Sequence, residues 1–228
     1  HSHAPEHTKT AHWLAEHFHP PLGGARLTLT AANTARKLLG APRLGRLSTS
    51  LSNASKGRLP QWTPAMPQPL RPISFGPASN DARPRVVYLA ACVSRVMGPA
   101  YADREQSSLL DKTRSLLEKA GYQVVFPDNA DSLCCGQPFA SKGYPEQAEH
   151  KRQELIAALL HASRGGLDPI YCDTSPCTLR LVQDLGETRL DLYDPVRFIR
   201  THLLDRLEFT PQDEPVAVHV TCSTQHLG

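Results

Sequence analysis

The sequence predicts an α/β fold: a mostly parallel sheet with helices on both faces, preceded by a helical segment and a Pro-rich arm. Three observations predict it. From residue 85 onward, short apolar runs alternate with amphipathic stretches in β-α-β-α order, the pattern of a parallel sheet covered by crossover helices. Seven prolines crowd residues 58–84, which removes helix and central strand there. Five of the six cysteines fall just beyond the predicted strands, at Cys92, Cys134, Cys135, Cys172 and Cys177, with Cys222 near the end.

The N-terminal elements come first. Residues 8–18 place Ala11, Leu14, Ala15 and Phe18 at helical spacing. Residues 29–39 form a second helix, stopped by Gly40 with Pro42 beyond, and 46–54 a third, stopped by Gly57. Residues 1–57 are thus a helical segment. Residues 58–84 are a linker or arm, and Trp62 and Phe75 favour an arm packed on a neighbouring surface.

The alternating region follows. Residues 85–91 read as a buried strand, 109–120 as an amphipathic helix ended by Gly121, and 122–126 as the next strand. A long helix over 145–163 stops at Gly165-Gly166, and 169–171 is a short strand. Ser175-Pro176 supplies a cap and a first-turn proline for a helix through 185. Residues 190–193 are a strand, and Asp194-Pro195 repeats the helix start, running through 207. The run 216–220 closes the series as a strand that delivers Cys222.

Size and composition narrow the function. The 228 residues allow one domain of about 140 residues plus extra material. A net charge of +3 is too small to argue for nucleic acid. No apolar run approaches the ~20 residues that span a bilayer, and no signal peptide is visible, so the chain reads as cytoplasmic. It begins at His1 and stops at Gly228, soon after presenting Cys222, so it reads as a piece of a longer protein.

Without a secretory signal, six cysteines point to a metal or redox site before a disulfide framework. Adjacent Cys134 and Cys135 are poorly placed to bridge each other. In a parallel sheet the carboxyl ends of the strands share one edge, so residues scattered along the chain meet there. Soft thiolates favour iron–sulfur or zinc over hard cations. Zinc and an ordinary cubane cluster each take four ligands, whereas five thiols suit a cluster bridged or pulled apart by protein sulfur. Gly136 would let the backbone approach it. Thiol–disulfide chemistry at Cys134-Cys135 is a third reading, with nothing nearby that clearly lowers a thiol pKa.

Other polar residues have plainer readings. Asp173, Thr174 and Ser175 read as caps for the following helix, His219 as a packed core histidine, Lys142 as a surface lysine, and the six histidines of the first twenty residues as solvated. No Gly-x-Gly-x-x-Gly appears, so no FAD is assigned to this chain.

Four phrases carry a resemblance: Cys92-Val-Ser-Arg-Val-Met-Gly-Pro, Cys134-Cys-Gly-Gln-Pro-Phe-Ala-Ser-Lys-Gly143, Cys172-Asp-Thr-Ser-Pro-Cys177 and His219-Val-Thr-Cys-Ser-Thr-Gln225. They resemble the cysteine-rich CCG domain found in heterodisulfide reductase, in the iron–sulfur component of glycolate oxidase and in anaerobic glycerol-3-phosphate dehydrogenase. The closer likeness is to the C-terminal part of bacterial FAD- and iron–sulfur-containing D-lactate or D-2-hydroxyacid dehydrogenases. The last pair is Cys-x4-Cys here, where the family has Cys-x2-Cys.

The resemblance implies a first CCG domain over 85–215 and the start of a second at 216–228. It implies an iron–sulfur cluster of the [4Fe-4S] type, cubane or non-cubane, held from among Cys92, Cys134, Cys135, Cys172, Cys177 and Cys222, with zinc as the alternative. FAD and a ferredoxin-like module would lie on other parts of the parent, with 1–57 following that module. Electrons would pass from flavin to a quinone or cytochrome, in the cytoplasm or against the inner face of the membrane. The runner-up is a zinc-binding or metal-free interaction module.

Overall fold

A computed structural model describes residues 5–71, 82–183, 189–211 and 213–227. In chain order its elements begin with α1 (Pro5–Glu16), α2 (His19–Leu39), α3 (Ala41–Ala54), β1 (Pro67–Pro69), β2 (Arg85–Leu89) and α4 (Cys92–Val96). Next come β3 (Met97–Ala100), α5 (Leu109–Lys119), β4 (Gln123–Val125), α6 (Gln137–Ala140) and α7 (Pro145–Ala162). The chain continues through β5 (Ile170–Cys172), α8 (Ser175–Val182), β6 (Leu192–Tyr193), α9 (Pro195–Phe198) and α10 (Cys222–Gln225). The described residues cluster into two compact units, one holding 5–18, 82–92 and the residues from 113 onward, the other 19–71 and 93–112.

The first unit contains the α/β fold. Its four strands run β4-β2-β5-β6, every neighbouring pair parallel. The first strand of the series is therefore central, between the second and the third. The order in which strands are added reverses between β2 and β5, so the crevice beyond their carboxyl ends is where an open α/β sheet forms its site. Leu89 pairs with Cys172 in the last register of these two strands.

Period-two alternation sorts the side chains. Val87, Leu89, Ile170 and Cys172 pack with Leu155 and Leu159 of α7 and Leu181 of α8. The intervening Tyr88 and Tyr171 join Phe198 and Tyr193 in an aromatic layer, with Tyr171 and Tyr193 edge-on to Phe198 at 5.3 and 5.7 Å. Fully burying a leucine such as Leu159 is worth about 2 kcal/mol. Helix α1 belongs to this unit, and its Leu14 and Ala15, with Phe18 just beyond its end, pack on Phe139, Ala148 and Tyr144.

Helical winding from Asp194 continues to Arg206, through a π-turn at Ile199–Leu203 and a 3-10 turn at Leu204–Arg206. The predicted end of α8 at 185 lies outside the described residues. One strand is corrected. Residues 216–220 pair with no strand among the described residues, and Val216 and Val218 are about four-fifths exposed. Among the described residues the sheet ends at β6, and residues 216–220 are exposed along their whole length. His219 is accordingly exposed, not packed in a core.

The second unit is a helical hairpin with a small sheet. Helix α2 starts at His19, ten residues before the predicted start, because Pro20 and Pro21 fill a first turn whose N–H groups have no helical acceptor. Gly40, at φ +78°, joins α2 to α3, and α3 starts early for the same reason at Pro42. The arm does pack. β1 pairs antiparallel with β3, an element the sequence does not announce, and buried Trp62 stands 5.9 Å from Tyr101. Pro72, Phe75 and Pro77 of the predicted arm lie outside the described residues. Among the described residues no helix is long and apolar enough to cross a membrane.

Candidate metal centre

Five of the six cysteines converge beyond the carboxyl ends of the parallel strands. Cys92 opens α4 just after β2, Cys134 and Cys135 end the loop after β4, Cys172 ends β5, and Cys177 lies in the first turn of α8. Their sulfurs form a continuous chain. Cys92 and Cys135 both hydrogen-bond Cys134, Cys135 contacts Cys177 at 3.2 Å, and Cys177 in turn reaches Cys172. Cys177, displaced in sequence from the family spacing, is thus the thiol that links the vicinal pair to β5. All six cysteines are free thiols.

Local structure explains the placement. Gly136 has φ +83° and starts α6, and its N–H donates to Cys134 Sγ at 3.4 Å. A side chain there would put Cβ 2.2 Å from Ala148 O, so the glycine is needed for close approach to α7. Gly136 thus serves close packing on α7 in addition to bringing its N–H to the Cys134 sulfur.

Asp173 is also corrected. It does not cap α8, whose N-cap is Thr174 without a side-chain cap bond. Its buried carboxylate accepts from Ala91 N at 2.8 Å and from the Tyr88 hydroxyl at 3.0 Å. Cys92 follows Ala91 directly, so this acid ties the Cys92 segment to the turn that carries Cys172. Sequence reasoning misses that role. The one available signal is an acidic residue between two cysteines.

The thiols are electrically unequal. Hydrogen bonds from Cys135 and Cys92, and then from Gly136 N, hold Cys134 well below the ordinary thiol value. Cys135 is pushed up by its bonds to Cys134 and Cys177 together with burial. Cys172 is pushed up by Cys177 and by complete burial. The sequence alone shows nothing to lower a thiol pKa, because the turn that aims Cys135 and Gly136 at Cys134, and the approach of the distant Cys92, are set by the fold.

Cys222 stands apart. It is exposed at the start of α10, which packs beside α8 with the Ser175 and Ser223 hydroxyls 2.7 Å apart. His12, His17 and His19 are exposed, His17 stacking on Trp13, and Lys142 is a surface lysine. His1 and His3, and the side chain of His7, lie outside what is described.

The donor set suits a thiophilic metal, since five thiols meet in one place, three of them buried and Cys92 and Cys177 partly so. The Cys135–Cys177 contact is tighter than a loaded site requires. Two thiolates on one zinc at about 2.3 Å would stand about 3.8 Å apart, against 3.2 Å between Cys135 and Cys177. Accordingly, among the described residues no three Cys, His, Asp or Glu side chains enclose a metal-sized space as they stand.

These features define a thiol-lined α/β domain whose donor set is compatible with a metal cluster. Residues 86–181 match the family model of the cysteine-rich domain CCG, and the chain carries that domain over this span. A 63-residue stretch is 41% identical to the uncharacterized protein YkgE of Escherichia coli (strain K12). That match covers 28% of this chain and 24% of the relative. No solved structure matches.

Proposed function

We propose that the chain is the iron–sulfur electron-transfer part of a larger FAD-linked D-2-hydroxyacid (D-lactate) dehydrogenase. In this reading it relays electrons from a flavin domain and a ferredoxin-like module towards a quinone or cytochrome, in the cytoplasm or at the inner face of the membrane. The supporting observation is the continuous chain of five thiols beyond the crevice between β2 and β5. A bound iron–sulfur cluster would supply one-electron chemistry. Cys92, Cys134, Cys135, Cys172 and Cys177 would hold it, with Cys222 within the same end of the domain. Gly136 N–H, already on Cys134 Sγ, withdraws charge from that sulfur, and burial of Cys172 keeps water away.

Anaerobic reconstitution followed by iron and sulfide analysis and EPR tests this. Stoichiometric iron and sulfide with a reducible signal is the expected result; their absence overturns it. One observation favours the second reading, a zinc-binding interaction module. The 3.2 Å sulfur contact needs to open by only roughly half an ångström for one zinc. Stoichiometric zinc without sulfur-to-iron absorption would select it.

A further inference from the structure

Charge is divided unevenly along this chain. Residues 17–80 contain eight Lys and Arg and no Asp or Glu. The spans 19–71 and 93–112, which make up the second unit, carry eleven cations against three carboxylates, a net +8. The rest of the chain carries fourteen against nineteen, a net −5.

Helix α2 in this unit is turned the opposite way from a water-facing helix. Its half-buried side bears Leu29, Asn33 and the cations Arg26 and Arg36. Arg26 donates to Arg95 O at 2.9 Å, and Arg36 lies 4.5 Å over the Tyr101 ring. The opposite stripe is Leu27, Ala31, Thr34 and Leu38, with no charge, and its two leucines are 71% and 79% exposed. Eleven residues are three turns at about 3.6 residues each, so Leu27 and Leu38 share one face. Helix α3 adds Leu47 and Leu51, one turn apart and each half exposed, beside the exposed Arg43 and Arg46. Lys37, Lys56 and Arg58 are exposed as well.

We propose that the α2–α3 hairpin docks on an anionic lipid bilayer, with its leucines in the headgroup boundary and its cations among the phosphates. Cations without carboxylates select an anionic partner, and exposed aliphatic side chains with basic neighbours on the same helices are the composition of an interfacial helix. Nucleic acid has no use for an uncharged leucine stripe. A protein interface favours aromatic anchors, whereas the only aromatic residue between 19 and 71 is Trp62, which is buried. A bilayer demands no shape complementarity from leucines on two helices. The contact lies on the membrane and does not span it, since α2 carries Arg26, Arg36 and Lys37 within its length. It goes beyond the reading of the cysteines and holds or fails without it.

Vesicle flotation of the full, metal-free chain tests this. Phosphatidylcholine vesicles are compared with vesicles containing roughly one-third phosphatidylglycerol. The expected result is about tenfold more chain floating with the anionic vesicles at low salt, most of it lost at about 0.5 M salt. Leu27→Ser/Leu38→Ser lowers flotation about tenfold, and Arg43→Glu/Arg46→Glu does the same, both with unchanged circular dichroism. The substituted side chains are exposed, so folding is preserved. Absence of preferential flotation overturns the proposal. So does wild-type flotation by the double-serine variant, or capture by heparin or an acidic protein without flotation.

Discussion

The Asp173 carboxylate receives the Tyr88 hydroxyl at 3.0 Å, with its second oxygen on Ala91 N at 2.8 Å. Parallel pairing of β2 with β5 ends at Leu89 and Cys172, so beyond that register this acid ties the two segments together. Asp173→Ala leaves a buried N–H and O–H without this acceptor and is expected to lose about 2–4 kcal/mol in urea denaturation. Pulsed alkylation of the reduced, metal-free chain should label Cys92 at least about tenfold faster, ahead of Cys135 and Cys172. Asp173→Asn, which keeps an acceptor for Ala91, should restore slow labelling. Equal acceleration at all thiols would reduce the residue to a general stabiliser.

Gly136 gives a second expectation. Its φ of +83° and the 2.2 Å approach of an added Cβ to Ala148 O leave no room for a side chain. Gly136→Ala should cost about 3 kcal/mol or more by thermal or urea unfolding. Gly121→Ala is the comparison, since its φ is also positive, +83°, but nothing lies within 4 Å. It should cost about 1–2 kcal/mol. Equal losses would mean that only backbone strain matters at Gly136.

Alkaline pH should unfold the domain through its aromatic layer. Burial, and then the Asp173 charge, push the Tyr88 phenol far above its ordinary value, and burial pushes Tyr171 up to about 12. In the unfolded chain both ionise near pH 10. The folded state keeps them neutral, so its stability is full below pH 10 and falls as pH rises towards 12. Phenolate absorbance and circular dichroism should change together in that window, and Tyr171→Phe should shift the transition upward. Tyrosine ionisation well before unfolding would contradict this.

Metal titration should rank the cysteines. With cadmium as a thiolate probe, Cys177→Ser is expected to weaken binding at least about tenfold, because Cys177 links the vicinal pair to Cys172. Cys222→Ser, at an exposed position, should change it less than about twofold. The reverse ranking would place the site between α8 and α10.

Much of the fold was legible in the sequence. Apolar runs at 85–91, 122–126 and 190–193 bracket β2, β4 and β6, and the prolines at 145, 176 and 195 mark the starts of α7, α8 and α9. The run at 216–220 misleads, because alternating valines give a strand its pattern but not its neighbour. Strand β3 escapes notice for the converse reason: Met97-Gly-Pro-Ala100 has little strand character and pairs because β1 lies beside it.

By itself, then, the sequence determined that five cysteines would gather at the carboxyl edge of a parallel sheet, since strand direction alone fixes which loops share an edge. It also determined that a span of 64 residues would hold only positive charge. The tertiary structure alone decided that Cys177 joins Cys135, that Asp173 reaches back to Ala91, and that α2 turns its leucines outward. Each of these depends on which face of an element meets which neighbour. That choice is made by packing between residues distant in the chain, and local propensity does not encode it.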